Sequence, residues 1–324
     1  MAQRSTSQKL TLFFKGIGMG AADVVPGVSG GTIAFITGIY EELVATIHQF
    51  DFSFFKIWKN EGFLKAWNQY NLSFLLVLIS GIATSILSLA KLINYLLDHH
   101  TILIYAFIFG LVTSSIYFVA KQIERWRVST IILLLLFVAV GYYITVLEPM
   151  EAPDSYFYFF LSGAIGIIAM ILPGISGSFI LLLLGSYQAI LNTVSDFTGS
   201  IATANWALFS ASFLKIITFV AGMIVGIKLF SRILTWLFKN YKDITLAVLT
   251  GLMIGAMNKI WPWKETVSTY INSKGEVVPL LEKSISPLIF DGNPQIFWSV
   301  ILGIIGFLSI FLIEQMATRK SAKK

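Results

Sequence analysis

The chain has 324 residues, of which 56% are hydrophobic and 12% are charged, and its formal net charge is +6. A soluble domain has roughly 25% charged residues, so this composition excludes an ordinary soluble protein and favours a membrane protein. The chain contains no cysteine, which excludes disulfides and thiolate metal sites, and its three histidines fit no ligand pattern. We therefore expect neither a metal nor a cofactor.

The N-terminal segment, residues 1–15, is basic and runs directly into apolar sequence. No small-residue cleavage site follows a short apolar core, so we expect no removed signal peptide. The other basic residues cluster at the ends of apolar stretches and in loops. That pattern sets membrane topology and does not indicate nucleic-acid binding.

The first apolar stretch, residues 10–48, is interrupted at residues 26–31 by Pro-Gly-Val-Ser-Gly-Gly, here called kernel 1. Proline and glycine inside an apolar stretch predict a break in the helix near mid-membrane. The arms, residues 13–25 and 32–47, would form helices of about 20 and 24 Å, and neither comfortably spans a hydrocarbon core of roughly 30 Å. We therefore predict a re-entrant hairpin over residues 13–48.

A connecting segment at residues 51–71 interleaves aromatic residues with three lysines. It is typical of an amphipathic helix at the membrane interface, and an ordinary polar connector is the alternative. Three stretches long enough to cross a bilayer follow it, at residues 73–97, 102–120 and 129–147.

The second half of the chain repeats this order. Its interrupted stretch, residues 156–195, predicts a second re-entrant hairpin and contains Pro-Gly-Ile-Ser-Gly-Ser at residues 173–178, here called kernel 2. Three predicted transmembrane helices come after it, at residues 206–230, 244–258 and 296–314. The loop 259–295 contains a candidate β-hairpin around residues 272–275, and we assign no chemistry to it.

An ungapped alignment connects the two halves. Residues 16–50 match residues 163–197, and eleven of the 35 aligned positions are identical. Chance similarity between apolar sequences would explain shared leucines, but it would not explain a shared Pro-Gly-x-Ser-Gly. We therefore predict a duplication, with repeat 1 at residues 1–150 and repeat 2 at residues 151–324.

Positive charge in the short loops predicts the topology. Lysine and arginine recur on one side only, which places both termini in the cytoplasm and gives each half three full crossings. Because three is odd, the halves are inverted. The predicted fold is an all-α polytopic membrane protein of two inverted-topology repeats, each a re-entrant helical hairpin plus three transmembrane helices. Secondary transporters have this architecture, and in it we expect the kernels to lie within about 15 Å of each other.

The kernels are the candidate binding site for a phosphate-sized anion. A helix that begins in mid-membrane has unpaired amides and a positive end of about half a charge, and the kernel serines add hydroxyl donors. Two alternatives remain open: the carbonyls that end the first arm suit a cation, and small residues also allow close helix packing. The candidate headgroup ligands are Gly27, Ser29, Gly30, Gly31, Thr32, Gly174, Ser176, Gly177 and Ser178.

Four ionisable residues in or beside the apolar stretches are further candidates. Asp23 and Glu41 are candidates for coupling to H⁺ or Na⁺; a helix-tip contact for Asp23 and simple hydration for Glu41 are the alternatives. Lys91 and Arg232 fall at equivalent repeat positions, where each is a candidate for capturing a phosphate headgroup on its own side of the membrane. Snorkelling to the interface is the alternative for both.

An enzyme is not predicted. The sequence Gly-Val-Ser-Gly-Gly of kernel 1 formally matches the nucleophile elbow of hydrolases, but that motif needs a strand-turn-helix context and a histidine base. Kernel 2 ends in serine and breaks the pattern. We predict no catalytic residues.

Residues 18–32 (GMGAADVVPGVSGGT) resemble a bacterial membrane family, formerly a domain of unknown function, now associated with polyprenyl-phosphate transport and known as PopT. The resemblance covers about residues 10–315 and includes kernel 2. It implies a multi-pass protein of the bacterial cytoplasmic membrane that returns undecaprenyl phosphate from the outer to the inner leaflet for cell-envelope synthesis.

The partners implied are the polyprenyl-phosphate lipid and the bilayer, while a coupling ion and a homo-oligomer are left open. Two other classes also stay open. One is a secondary transporter or channel for a small anion, and the other is an assembly factor with no transported substrate.

Overall fold

The computed structural model describes residues 4–25, 28–51, 53–271 and 277–321. Within these residues the chain is helical except for one antiparallel β-hairpin and the connecting loops. The helices are α1 (Thr6–Val24), α2 (Gly30–Ile36), α3 (Tyr40–Gln49), α4 (Ser53–Glu61), α5 (Phe63–Gln69), α6 (Leu72–His99), α7 (Thr101–Ala120), α8 (Val128–Val146), α9 (Tyr156–Ile171), α10 (Gly177–Leu183), α11 (Ser186–Ala202), α12 (Trp206–Asn240), α13 (Lys242–Ala256) and α14 (Ile296–Ser321). A 3-10 helix (Met257–Ile260) continues α13, and the strands β1 (Lys264–Ile271) and β2 (Val277–Ser284) follow it.

Five helices in the described part of the chain are long and apolar enough to cross a membrane, namely α6, α7, α8, α12, and α13 with its 3-10 extension. Helices satisfy all backbone hydrogen bonds internally, which a lipid environment requires. The protein is therefore an integral membrane protein built mostly from helices. Helix α12 ends ten residues later than predicted. Its 35 residues would extend about 52 Å, more than one crossing needs.

Glycines create the same helix contact in both halves. A Cβ on Gly81 of α6 would overlap the carbonyl oxygen of Phe13 in α1, and a Cβ on Gly222 of α12 would overlap that of Phe160 in α9. Phe13 and Phe160 lie just before the aligned ranges and are separated by the same 147 positions as the predicted repeats. In lipid, where all helices are apolar, such close backbone approach decides which helices associate.

Two further helix pairs each join one helix from each half. Helix α8 packs on α13, where Gly255 faces the carbonyl oxygen of Val138, and α7 packs on α14, where Gly306 faces that of Phe107. The predicted halves are thus interlocked, although the repeat boundaries themselves remain a prediction.

Within the described residues, the two helices that flank each kernel pack on each other, α1 on α2 and α9 on α10. After kernel 2 the chain returns to the start of α9, as two contacts show. The Tyr158 hydroxyl donates to the Leu184 carbonyl at 2.6 Å, and the hydroxyls of Ser162 and Ser186 are 2.6 Å apart. Helix α11 then turns by 100° from α10. Whether the hairpins are re-entrant with respect to the bilayer, and whether the halves are inverted, remain predictions.

The segment predicted as one interfacial helix forms two, α4 and α5, which Gly62 separates with a φ of 92°. Its aromatic side chains form a cluster around the buried Phe54. The hydroxyl of Tyr70 donates to the Asp51 carboxylate at 2.7 Å and lowers the pKa of that carboxyl. The candidate β-hairpin also forms, and residues 272–276 of its turn lie outside the described residues.

Candidate functional site

The two kernels meet through the residues that flank them. The backbone amide of Gly174 in kernel 2 donates at 2.9 Å to the hydroxyl of Thr32, the residue that follows kernel 1. The Ser29 hydroxyl of kernel 1 donates at 3.1 Å to the carbonyl of Met170 in α9, three residues before kernel 2. Thr32 and Ser29 are each only 1% exposed. The expectation that the kernels lie close together is therefore confirmed.

The first backbone amides of α2, in kernel 1, already donate to nearby side chains. The Asp23 carboxylate accepts from the Gly30 amide at 2.6 Å, and the Ser29 hydroxyl accepts from the Gly31 amide at 3.1 Å. Ser29 has the extended backbone of a helix N-cap, with φ −124° and ψ 133°. The amides predicted to receive an anion are therefore occupied in this conformation, and Asp23 makes the helix-tip contact that was the alternative to ion coupling.

Glycine allows the kernels to touch. A Cβ on Gly31 would lie 2.5 Å from the carbonyl oxygen of Ile171 at the end of α9. Gly174 has a φ of +90°, which L residues rarely adopt, and a Cβ there would lie 2.8 Å from the Met253 Cα. The small residues thus serve close packing as well, which was an alternative interpretation of the kernels.

Kernel 2 is the more open of the two. The Ser176 and Ser178 hydroxyls are 2.9 Å apart, and Ser178 is exposed. Ser176 lines a cavity of about 10 Å³ together with Thr145 of α8 and Lys259 of the 3-10 helix. A cavity of that size holds about one water molecule. It is too small for a phosphate, so phosphate binding here requires the site to open.

The other predicted site residues lie in different places. Gly27 lies outside the described residues, and Gly177 begins α10 beside α9. Glu41 is exposed on α3, whereas Asp23 accepts from the Gly30 amide at the start of α2. Glu42, next to Glu41, pairs with Arg4 and accepts from the Asn71 amide at 2.8 Å. Among the described residues, no hydrogen bond connects the two candidate coupling acids.

Lys91 and Arg232 are exposed on α6 and α12, and no contact within the described residues connects them to the kernels. Their roles as headgroup cations remain predictions, with snorkelling as the alternative. Within the described residues, no group of three His, Asp or Glu side chains is arranged to hold a metal ion.

The sequence interpretation missed a cluster beside kernel 2. Lys259, Lys264 and Glu282 converge there, although all three belong to the loop to which we had assigned no chemistry. Period-2 alternation predicts which residues of one strand share a face, but it does not give the register between two strands. The structure supplies that register: Lys264 pairs with Ser284 and Thr266 pairs with Glu282, which places Lys264 and Glu282 on one face.

Membrane-spanning helices around a buried meeting point of two broken helical hairpins define a polytopic membrane protein of the transporter kind. The model of the VCA0040-like, undecaprenyl phosphate translocase-like family matches residues 19–278, and the chain belongs to this family. It is a transporter family and not an enzyme family. The resemblance noted in the sequence is thereby confirmed.

Two curated relatives are named polyprenyl-phosphate transporters. One, from Vibrio cholerae serotype O1, is 47% identical over 286 residues, which cover 88% of this chain and 88% of the relative. The other, from Staphylococcus aureus, is 30% identical over 261 residues, which cover 76% of this chain and 84% of the relative. No solved structure matches the chain.

Proposed function

We propose that this protein transports polyprenyl phosphate across the bacterial cytoplasmic membrane, returning undecaprenyl phosphate from the outer to the inner leaflet. Membership of the translocase-like family and the printed names of both relatives support this substrate. The observation that carries the proposal is the pair of hydrogen bonds by which each kernel meets a residue beside the other, which brings polar groups from both halves to one buried place.

In the proposed arrangement both termini are cytoplasmic and the halves are inverted, so that one hairpin enters from each side. Such paired broken helices form substrate sites near the midplane in secondary transporters. The charged headgroup would pass between the kernels, while the prenyl chain remains in lipid. Opening the kernel contact would then alternate access between the two faces.

Residues of both kernels are the proposed headgroup ligands, with Ser176 and Ser178 as hydroxyl donors on the kernel 2 side. Lys91 and Arg232 are proposed as cations at the two entrances. Asp23 is the proposed coupling acid, because its carboxylate lies at kernel 1, and its contact with the Gly30 amide is the alternative role.

Liposomes containing the purified protein and a fluorescent short-chain polyprenyl phosphate test this function. A membrane-impermeant quencher reaches about half the lipid in protein-free vesicles, and we expect it to reach nearly all of it when the protein is present. A protein that leaves the inner half protected but moves inorganic phosphate would be the small-anion transporter named as the alternative.

Replacement of the kernel 2 serines should slow this transport. Ser176→Ala combined with Ser178→Ala removes two donors to a charged group, each worth about 1.5–3 kcal/mol, so we expect at least about a tenfold loss of rate with a folded protein. The exposed Ser195→Ala on α11 is the matched control and should behave as wild type. Normal transport by the double variant would show that these serines serve packing only.

A further inference from the structure

Beside kernel 2, two lysines share one carboxylate. The Nζ atoms of Lys264 and Lys259 lie 3.4 and 3.8 Å from the same oxygen, Oε2 of Glu282. The side chains of Lys264, Lys259 and Glu282 are 8%, 15% and 25% exposed. The cluster therefore holds one net positive charge where water is largely excluded, and burial makes an uncompensated charge costly.

Aromatic rings replace part of the missing water. The Lys264 ammonium lies 3.9 Å from the ring centre of Tyr105 in α7, and the Lys259 ammonium lies 4.6 Å from that of Phe179 in α10. Cation–π contacts of this kind contribute about 0.5–2 kcal/mol and partly compensate an ammonium group for its lost hydration.

The cluster is also held rigidly. The Asn258 side-chain amide donates to the Thr145 hydroxyl at 2.7 Å, and the Ser284 hydroxyl donates to the Asn258 carbonyl at 2.9 Å. The first bond holds the 3-10 helix against α8, and the second holds the end of β2 against the 3-10 helix. A site whose ligands are positioned in advance binds more tightly, because less side-chain freedom is lost on binding.

Lys259 connects the cluster to the kernel. Lys259 and Ser176 both line the small cavity. Phe179, the aromatic partner of Lys259, lies three residues after Ser176 in the chain. The repeat alignment matches Phe179 with Thr32, the residue that follows kernel 1, so the second half has an aromatic ring at this position and the first half does not. The cluster is a feature of one face of the protein, the face that carries the β-hairpin.

We propose that Lys259 and Lys264 form the entry site for the phosphate monoester of the transported lipid on the β-hairpin face, and that Glu282 occupies this site as an internal anion until phosphate displaces it. The inference rests on the proposed transport function and adds the residues that first receive the headgroup. By the predicted topology this face is the outer one. A dianionic phosphate would balance the charge of both lysines. The single carboxylate of Glu282 leaves one of the two positive charges uncompensated.

Opposite effects of the two kinds of substitution test the entry site. Equilibrium binding of a short-chain polyprenyl phosphate to the protein in nanodiscs should weaken at least about tenfold in Lys259→Gln, since a charge-assisted hydrogen bond is lost. Glu282→Gln removes the competing carboxylate and should tighten binding severalfold. Polyprenol without phosphate should bind equally to all variants, and inorganic phosphate shows whether the headgroup alone suffices.

Lys283→Gln is the matched control. Lys283 lies on the same strand, next to Glu282, but it is exposed and pairs with Glu265 on the other face of the hairpin. Lys283→Gln makes the same change of charge as Lys259→Gln and should leave binding unchanged.

In Glu282→Gln no carboxylate lies between the two lysines, so they repel each other and the melting temperature should fall. Addition of polyprenyl phosphate should then raise the melting temperature of Glu282→Gln by more than it raises that of wild type.

Three outcomes separate the proposals. Equal binding by wild type and Lys259→Gln, with liposome transport intact, overturns the entry site and leaves the proposed function standing. Weaker binding by Glu282→Gln also overturns the entry site, because the three residues would then be a structural ion cluster. If wild type neither binds nor moves the lipid, the proposed function fails and the entry site fails with it.

The entry site also predicts a pH dependence. Burial lowers the pKa of Lys264 to about 8, although the Glu282 carboxylate acts in the opposite direction. Lys259, Glu282 and Tyr105 are the charged and titratable groups that face it. The phosphate monoester, with a pKa of about 6, keeps its charge above pH 7.

Wild-type affinity should therefore fall about tenfold between pH 7 and 9, as Lys264 loses its proton. Lys264→Arg stays charged, so its affinity should change little over this range. Parallel pH profiles for the two proteins would show that Lys264 does not contact the phosphate.

Discussion

Gly174→Ala is expected to destabilise the protein by about 2–5 kcal/mol and to abolish transport. A side chain at a positive φ costs about 1–2 kcal/mol, and overpacking against a fixed backbone costs about 1–3 kcal/mol more. Both penalties apply at Gly174, because its φ is +90° and its Cβ would lie 2.8 Å from the Met253 Cα. Relief of that contact would move kernel 2 away from α13 and stretch the bond between the Gly174 amide and the Thr32 hydroxyl.

Thermal unfolding in detergent, together with the liposome assay, measures these effects, and two glycines provide controls. Gly38 has a φ of +70° but open space around it, so Gly38→Ala should show the backbone penalty alone. Gly199 lies in α11 with open space and no unusual φ, so Gly199→Ala should be neutral or slightly stabilising. If Gly174→Ala unfolds at the same temperature as Gly38→Ala, the close approach to α13 is absent.

The second large effect concerns the two hydrogen bonds that join each kernel to a residue beside the other kernel. Ser29→Ala leaves the Met170 carbonyl and the Gly31 amide without their partner, and Thr32→Val does the same to the Gly174 amide. A buried polar group without a partner costs about 1–3 kcal/mol, so we expect about 2–6 kcal/mol for the first change, which affects two groups, and about 1–3 kcal/mol for the second.

The double variant should lose less than the sum of the two changes, because the same contact between the kernels is broken only once. Thr250→Val is the control, since Thr250 is also only 1% exposed, but its hydroxyl donates within its own helix to the Leu246 carbonyl. Additive effects of Ser29→Ala and Thr32→Val would mean that the two bonds act independently. The kernels would then not open and close as a unit.

Much of this protein is determined by the sequence alone, because membrane spans depend on local properties. A helix in lipid needs a certain length of apolar residues, so the predicted stretches agree with α6, α7 and α8 to within a few residues. Proline and glycine act on their own turn of the chain, so the breaks at the kernels also follow from the sequence. The family resemblance follows from residues 18–32, which include kernel 1, and it is confirmed by the family match.

The tertiary structure decided which apolar helices are neighbours and where the polar groups meet. All the spanning helices are apolar, so hydropathy does not distinguish partners; the shape around a few glycines does, as at Gly81 and Gly222. The Ser29 hydroxyl bonds to a residue 141 positions away, and Lys264 meets Glu282 only because the β-hairpin brings them together. Lys259 completes that cluster only because the 3-10 helix is fixed to α8. Local pattern thus determined the elements and their breaks, whereas the meeting of kernels and lysines required the packing of segments distant in sequence.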